Sequence, residues 1–127
     1  MCTLRACFVN GPAYCTSYVS YTPVNQSQDL AFLAKIKKEM VSYTSDQSCT
    51  DNDQCNWKLF GSNSCGGWNS VIAYSSKNID VTLLSNKATY YTQTEQQYNQ
   101  NYGITGTCMY LQSPHPRGCG ANGFCTP

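Results

Sequence analysis

The chain has 127 residues, a formal net charge of +1 and only 12% charged residues. This length allows one or two small domains, and the weak charge offers no basic surface for nucleic acid, so we expect no nucleic-acid partner. No apolar run approaches the roughly 20 residues that a membrane-spanning helix needs, so we expect no transmembrane segment.

The sequence contains nine cysteines, a high number for this length. No two of them are closer than five positions, whereas zinc and iron–sulfur sites use shorter spacings, so we predict disulfide bonds and neither a metal nor a cofactor. Disulfides form in oxidising compartments, so we predict a secreted, extracellular or cell-surface protein, with the periplasm as an alternative. We expect that its leader peptide has been removed. Bridges would also supplement a core that is poor in aliphatic side chains.

The cysteines begin a pattern that occurs twice. Two trios with similar internal spacing lie about fifty residues apart, and a third trio lies between residues 108 and 125. The trios are Cys2, Cys7 and Cys15; Cys49, Cys55 and Cys65; and Cys108, Cys119 and Cys125. The first two are each followed by β-prone residues and then by a helical pattern, so duplication of a hairpin-plus-helix unit is the simplest account.

The first helix is predicted over about 28–43. Ser27 can cap it, Asp29 lies in its first turn, and apolar residues follow at helical spacing. That stripe consists of Leu30, Leu33, Ile36 or Lys37, and Met40. We expect Glu39 to face water.

The second helix is predicted over about 79–102, with Asn78 as its cap and Gly103 as its end. Asp80 lies near its start, where a negative charge is favoured by the helix dipole. Its apolar stripe consists of Leu84, Ala88, Tyr91, Tyr98 and Tyr102.

Beyond this helix, residues 107–112 are predicted as a strand, 113–118 as a turn and 119–125 as a returning strand. The predicted fold is therefore α+β. It is a small disulfide-rich protein with two tandem hairpin-plus-helix repeats and a C-terminal β-hairpin. The first repeat covers 2–48 and lacks the tail, and the second covers 49–127 and is complete.

Nine is an odd number, so at least one sulfur has no partner within the chain. The second repeat holds six cysteines, which can all pair, in any of 15 arrangements. We expect the odd cysteine in the first repeat and choose Cys2, because a residue near a terminus reaches other molecules most easily. The disulfide framework is then predicted to contain Cys7, Cys15, Cys49, Cys55, Cys65, Cys108, Cys119 and Cys125.

Segment 49–125 carries several features that occur together in one family. They are Cys65-Gly66-Gly67, Tyr74-Ser75, an Asp-led helix, and a terminal Cys-x5-Cys formed by Cys119 and Cys125. In these features the segment, about three-fifths of the chain, resembles an uncharacterised family of small exported bacterial cysteine-rich proteins. The resemblance implies export and disulfides, and it implies no reaction.

Catalytic candidates are few. His115 lies between two prolines in a predicted turn, where a solvated loop residue is a simpler interpretation than the partner of a cysteine nucleophile. Glu39 and Glu95 lie on the two predicted helices and would suit glycoside cleavage only at a fixed separation, so we interpret both as solvent-facing charges. Residues 51–53 imitate the start of a calcium loop, but the glycine and glutamate that should follow are missing. We therefore predict no enzyme.

Two surfaces are candidates for binding a partner. A short loop clamped between cysteines could serve as a rigid bait for a trypsin-like protease, and it consists of Pro114, His115, Pro116 and Arg117. Exposed aromatic residues could contact a sugar ring or a peptide, although a core role is the simpler interpretation. The predicted aromatic contact surface consists of Trp57, Trp68, Tyr90, Tyr98 and Tyr102.

These observations predict a non-enzymatic, secreted or cell-surface structural or interaction protein. We expect it to self-associate as a disulfide-linked dimer or a head-to-tail polymer, so its main partner is a second copy of itself. Another surface protein or a protease is a further candidate partner. The alternative function is an exported protease inhibitor or binding module that uses the Pro114–Gly118 loop.

Overall fold

The computed structural model describes residues 22–106, 111 and 114–127. The cysteines and strands predicted in the first repeat, and most of the predicted strand 107–112, lie outside these residues. Among the described residues the order is helix, hairpin, helix and a C-terminal segment, which confirms the α+β class. No tandem repeat is evident in this part of the chain, because only one hairpin is described and it lies between the two helices.

Helix α1 spans Gln26–Tyr43. Its cap is Asn25, whose Oδ1 accepts a backbone amide hydrogen bond at 2.9 Å, so the predicted cap Ser27 is wrong by two positions. The buried residues of α1 are Asp29, Leu33, Ile36 and Met40. Leu30 is 55% exposed instead of buried, because Asp29 occupies the inward position in the first turn.

The hairpin consists of β1, Cys55–Phe60, and β2, Ser70–Ser75, which pair in antiparallel register. A 3-10 turn at Asn52–Gln54 precedes β1. Because side chains alternate between the two faces of a sheet, Phe60 and Ile72 share the face that is buried in the core. The opposite face is left to the C-terminal segment and to solvent.

Helix α2 spans Val81–Asn101, close to the predicted 79–102. Its cap is Asp80, whose carboxylate accepts a backbone amide hydrogen bond at 3.2 Å, so Asn78 is not the cap. This helix packs against both α1 and β1, and its buried surface is therefore wider than a single stripe. Tyr90 and Tyr98, predicted on an exposed aromatic surface, are buried for this reason.

The core lies where the two helices meet the hairpin. Its aromatic centre is the pair Phe60 and Tyr91, which pack edge to face with ring centroids 5.1 Å apart. The buried members are Leu33, Ile36, Met40, Phe60, Ile72, Leu84, Ala88, Tyr90, Tyr91 and Tyr98. Tyrosine rings thus supply volume that aliphatic side chains supply in most cores.

The C-terminal segment is attached by two disulfides, Cys49–Cys119 and Cys55–Cys125. In its described part, the predicted C-terminal hairpin is replaced by isolated single-residue bridges. They join Ser48 to Phe124 and Cys119 to Cys125. The segment 119–125 closes as a tight loop because the Gly123 amide donates to the Gly120 carbonyl at 3.0 Å, and Gly123 adopts a φ of 83° that favours glycine.

Candidate functional site

Two Cys-x5-Cys segments are joined to each other at both ends. Cys49 is bonded to Cys119 and Cys55 to Cys125, so residues 49–55 and 119–125 form a closed covalent ring. The Cys49 amide also donates to the Gly123 carbonyl at 2.9 Å. We call the two segments and their bridges the disulfide clasp. The clasp fixes the C-terminal segment to the base of the hairpin.

The clasp contains a cluster of sulfur atoms. The Sγ atoms of Cys49, Cys55 and Cys125 lie within 4.8 Å of one another. A metal would require thiolates, but all three sulfurs are in disulfide bonds. The neighbouring calcium-like segment forms a turn, because the Asp51 carboxylate caps the 3-10 turn and accepts from the Asp53 amide at 3.2 Å.

The other predicted framework cysteines are divided by what the structure describes. Cys65 is disulfide-bonded, so all five described cysteines are in bridges. The remaining four, Cys2, Cys7, Cys15 and Cys108, lie outside the described residues. Because nine is odd, at least one of these four has no partner within the chain.

Arg117 connects the C-terminal segment to the hairpin. Its guanidinium lies 5.1 Å from the centroid of the Trp57 ring and donates to four oxygens. The acceptors are the carbonyls of Thr126, Asn56 and Tyr74, at 2.8, 3.1 and 3.2 Å, and Gln47 Oε1, at 2.8 Å. Partial burial lowers the pKa of Arg117 from its ordinary value. The residue predicted as protease bait therefore points its side chain at its own hairpin.

Trp57 is enclosed by the same segment. Its indole Nε1 donates to the His115 carbonyl at 2.7 Å, and the two rings meet edge to face with centroids 5.8 Å apart. The His115 Nε2 lies 2.8 Å from the Pro127 carbonyl oxygen. An open groove of about 400 Å³ passes beside these rings, and among its lining residues His115 and Pro116 are exposed and Pro114 is half-buried. The structure thus brings one predicted aromatic residue and the predicted binding loop together.

Glu95 of α2 holds the loop that joins the two strands. Its Oε1 accepts hydrogen bonds from the Ser62 amide and from Asn69 Nδ2, both at 2.6 Å, and its Oε2 accepts one from the Tyr91 hydroxyl at 3.3 Å. At Gly61 an added Cβ would lie 1.9 Å from Asn69 Oδ1, and the φ of 88° also favours glycine. We call these contacts the Glu95 brace. The prediction of Glu95 as a solvent-facing charge is therefore wrong.

Trp68 lies in the loop held by the Glu95 brace, and 48% of its surface is exposed. An open groove of about 240 Å³ lies beside it. Its lining consists of Lys58, Leu59, Trp68, Ala88, Thr89, Thr92 and Gln93, and we call it the Trp68 groove. Of the five residues in the predicted aromatic surface, Trp68 alone is exposed, since Trp57 and Tyr102 are half-buried and Tyr90 and Tyr98 are buried.

Lys87 is buried between the helices with 2% of its surface exposed. Its Nζ lies 5.6 Å from the centroid of the Tyr43 ring. Burial lowers the pKa of Lys87 to about 8, and the negative charge of Glu39 opposes part of that change. Glu39 is half-buried rather than fully exposed. The two glutamates considered for glycoside cleavage therefore have different surroundings: Glu39 acts on Lys87, and Glu95 binds the hairpin loop.

Comparison with known proteins gives no match: no family model fits the chain, and no similar protein was found among curated proteins or solved structures. The resemblance to exported cysteine-rich proteins stays a prediction. Neither described helix combines the length and the apolar character that a bilayer crossing needs.

Proposed function

We propose that this chain is a non-enzymatic, disulfide-stabilised protein of the cell exterior that self-associates through a cysteine without an intrachain partner. The observation that carries the proposal is the parity of the cysteines. All five described cysteines are in bridges and the total is nine, so at least one of the other four is left over. In an oxidising compartment two such thiols form a disulfide by passing two electrons and two protons to a disulfide oxidant of the compartment, and a second copy of the chain supplies the second thiol.

The tandem arrangement predicted from the sequence supports the same proposal. In the second repeat the two leading cysteines, Cys49 and Cys55, take partners from the tail. The first repeat has two leading cysteines at a similar spacing, Cys2 and Cys7, but its sequence has no tail of its own. This absence leaves two cysteines without tail partners, and of these we assign the intermolecular bond to Cys2, as predicted from the sequence. The product is a disulfide-linked dimer or, with further contacts between unlike surfaces, a head-to-tail polymer.

The contacts of the polar residues favour a non-enzymatic protein. Glu95 accepts three hydrogen bonds, two from the hairpin loop and one from its own helix, and Arg117 donates four, three to backbone carbonyls and one to a glutamine side chain. His115 contacts Trp57 and Pro127, and Cys55, which lines the same groove, is in a disulfide bond and has no thiol to offer as a nucleophile. These groups stabilise the fold, and a catalytic role would require them to leave these contacts.

The test is non-reducing gel electrophoresis of protein made in an oxidising compartment. Free thiols are first blocked with N-ethylmaleimide under native conditions, so that no bridge forms after lysis. We expect a dimer that collapses to a monomer with dithiothreitol, and a monomer for Cys2→Ser. The matched control is the double variant Cys49→Ala/Cys119→Ala, which removes a clasp bridge and should leave the intermolecular bond. A wild-type monomer whose mass shows one maleimide adduct would contradict the proposal.

The alternative function, an inhibitor that presents Arg117, has less support because the guanidinium of Arg117 already has four acceptors and an aromatic neighbour. Only His115 and Pro116 of this loop are exposed. A panel of trypsin-like proteases assayed with the purified protein tests the alternative directly.

A further inference from the structure

We propose that the Trp68 groove binds the pyranose ring of a neutral glycan. This site goes beyond self-association, and it uses none of the cysteines on which self-association depends. Three properties of the groove support this proposal: an exposed flat aromatic ring, a loop whose backbone is held in place beside that ring, and polar lining side chains that, apart from Lys58, are uncharged.

Trp68 is an unusual residue to leave half-exposed. Tryptophan has the largest apolar surface of the side chains, and with 48% of that surface exposed Trp68 forgoes a large part of the burial energy that it could gain. The other tryptophan of the chain, Trp57, is half-buried and contacts Arg117 and His115. Exposed aromatic surface next to a groove is typical of a contact site.

The loop that carries Trp68 is fixed from several sides. The Glu95 brace holds Asn69, the residue next to Trp68, as well as Ser62 at the start of the loop. Within the loop, the Asn63 amide donates to the Gly67 carbonyl at 3.0 Å, and Cys65 is disulfide-bonded. Because this backbone is fixed before binding, the loop loses little conformational entropy when a ligand binds.

The groove lining selects the class of ligand. Thr89 and Gln93 are exposed on α2 and offer a hydroxyl and an amide toward the groove beside Trp68. Thr92 has its hydroxyl engaged, since it donates to the Ala88 carbonyl at 2.8 Å and accepts from the Gly61 amide at 2.9 Å. A pyranose ring matches such a lining, because it has an apolar C–H face that packs on an aromatic ring and hydroxyls around its edge that bind amides and hydroxyls.

The volume and the charge of the Trp68 groove limit the class of ligand further. The volume of about 240 Å³ is below the roughly 300 Å³ at which pockets for drug-sized ligands begin, so one sugar ring of a longer chain fits it best. Lys58 supplies the one charged group of the lining, and it can donate hydrogen bonds to neutral hydroxyls. An extended apolar partner helix would need a wider apolar stripe than Trp68 and the half-buried Leu59 provide.

The experiment is a titration of the full-length oxidised protein with cellohexaose, chitohexaose, xylohexaose and mannohexaose, followed by tryptophan fluorescence and isothermal calorimetry. We expect at least one of the four to bind, and we expect Trp68→Ala to weaken that binding by about tenfold or more. Thr89→Val and Gln93→Ala should each weaken it by a smaller factor. The matched control is Leu30→Ala, an exposed apolar residue on α1 outside the groove, which should bind as the wild type does.

Three results would overturn the proposal: binding of none of the four oligosaccharides, binding that Trp68→Ala leaves unchanged, or a change of oligomeric state in Trp68→Ala without sugar, which would make the groove a protein contact. The near-ultraviolet circular dichroism of each variant shows whether it is folded. If Trp68→Ala does not fold, Thr89→Val and Gln93→Ala decide the question from the helix side. Failure of sugar binding leaves the cysteine parity untouched, so this test and the test of self-association are independent.

Discussion

The carboxylate of Asp29 accepts a hydrogen bond from the hydroxyl of Tyr102, a residue 73 positions further along the chain. Its other oxygen accepts from the Val24 amide at 3.0 Å, and only 4% of Asp29 is exposed. The hydrogen bond to Asp29 raises the pKa of Tyr102 to about 12. A single buried carboxylate thus joins the start of α1 to the end of α2.

Asp29→Ala should destabilise the protein by about 1–3 kcal/mol, because hydrogen bonds to a buried charged group are lost together with their acceptor. Urea denaturation at pH 7 measures the change. Tyr102→Phe, which leaves the Val24 contact in place, should have a smaller effect in the same direction. Equal stability of Asp29→Ala and the wild type would show that the carboxylate does not connect the helices in solution.

We expect the free energy of unfolding of the wild type to increase between pH 8 and pH 10, and we expect Lys87→Met to lack this increase. In the folded state burial lowers the pKa of Lys87 to about 8 from its ordinary 10.5, so between these values the unfolded chain binds more protons and the free energy of unfolding increases with pH. We expect a gain of about 2–3 kcal/mol from pH 8 to pH 10. Above that range stability should fall again, because the pKa values of Tyr90, Tyr91 and Tyr102 are raised in the folded state and the unfolded tyrosines ionise first.

The measurement is thermal or urea unfolding from pH 7 to pH 11, with free thiols alkylated beforehand to prevent disulfide exchange. Lys87→Met should be more stable than the wild type at pH 7 and show no rise above pH 8. Lys35→Met, at an exposed position of α1, is the control and should keep the wild-type profile. A wild-type stability that is flat from pH 8 to pH 10 is the outcome that this account of Lys87 forbids.

Arg117→Lys should destabilise the C-terminal segment by about 2–3 kcal/mol, although it conserves the charge. A lysine ammonium cannot reach four acceptors on different parts of the hairpin and cannot stack on Trp57 as a planar guanidinium does. Hydrogen exchange of residues 114–127 and urea unfolding both report the loss. His115→Ala, which leaves its carbonyl contact with Trp57 intact, should cost less. Unchanged stability of Arg117→Lys, combined with loss of protease inhibition, would favour the bait function instead.

The two bridges of the disulfide clasp should be non-additive by about 1 kcal/mol. Each spans 70 positions, so the first to form restricts the unfolded chain by about 4 kcal/mol. Once one is closed, the other closes a ring of only about a dozen residues, so it contributes less, about 3 kcal/mol. Removing both should therefore cost more than twice the loss from either. The variants are Cys49→Ala/Cys119→Ala, Cys55→Ala/Cys125→Ala and their combination, compared by urea unfolding. Two equal and additive losses would show that the bridges act independently.

The helices and their approximate ends could be predicted from local patterns, because periodicity and capping residues lie within a few positions of each other. The caps were each misplaced by two positions, since Asn25 and Ser27, like Asp80 and Asn78, have similar capping preferences and tertiary packing decides between them. The burial of Tyr90 could not be predicted in this way. A stripe model assumes one packing partner for a helix, whereas α2 has two.

The contacts of Arg117 and Glu95 also could not be predicted from the sequence. The acceptors of Arg117 include the carbonyls of Asn56 and Tyr74, 61 and 43 positions away, and a backbone carbonyl leaves no trace in the side-chain pattern. The helical pattern around Glu95 predicts an ordinary solvent-facing charge, because its partners Ser62 and Asn69 lie in a loop about thirty residues earlier. One signal was available: Gly61, Gly66 and Gly67 mark a tightly built loop, and such a loop needs an anchor.

The disulfide clasp determines which parts of the chain carry tension when its two ends are pulled. A pull along the backbone that enters on one side of the clasp and leaves on the other is carried by sulfur–sulfur bonds instead of by the intervening polypeptide. Residues 56–118, with most of β1, all of β2, and α2, would then carry no tension along their backbone. Helix α1 lies in the stretched flank and packs against α2, so a pull from that side reaches the core through this packing until α1 detaches. After α1 has detached, the hairpin would still be closed by the two bridges of the disulfide clasp.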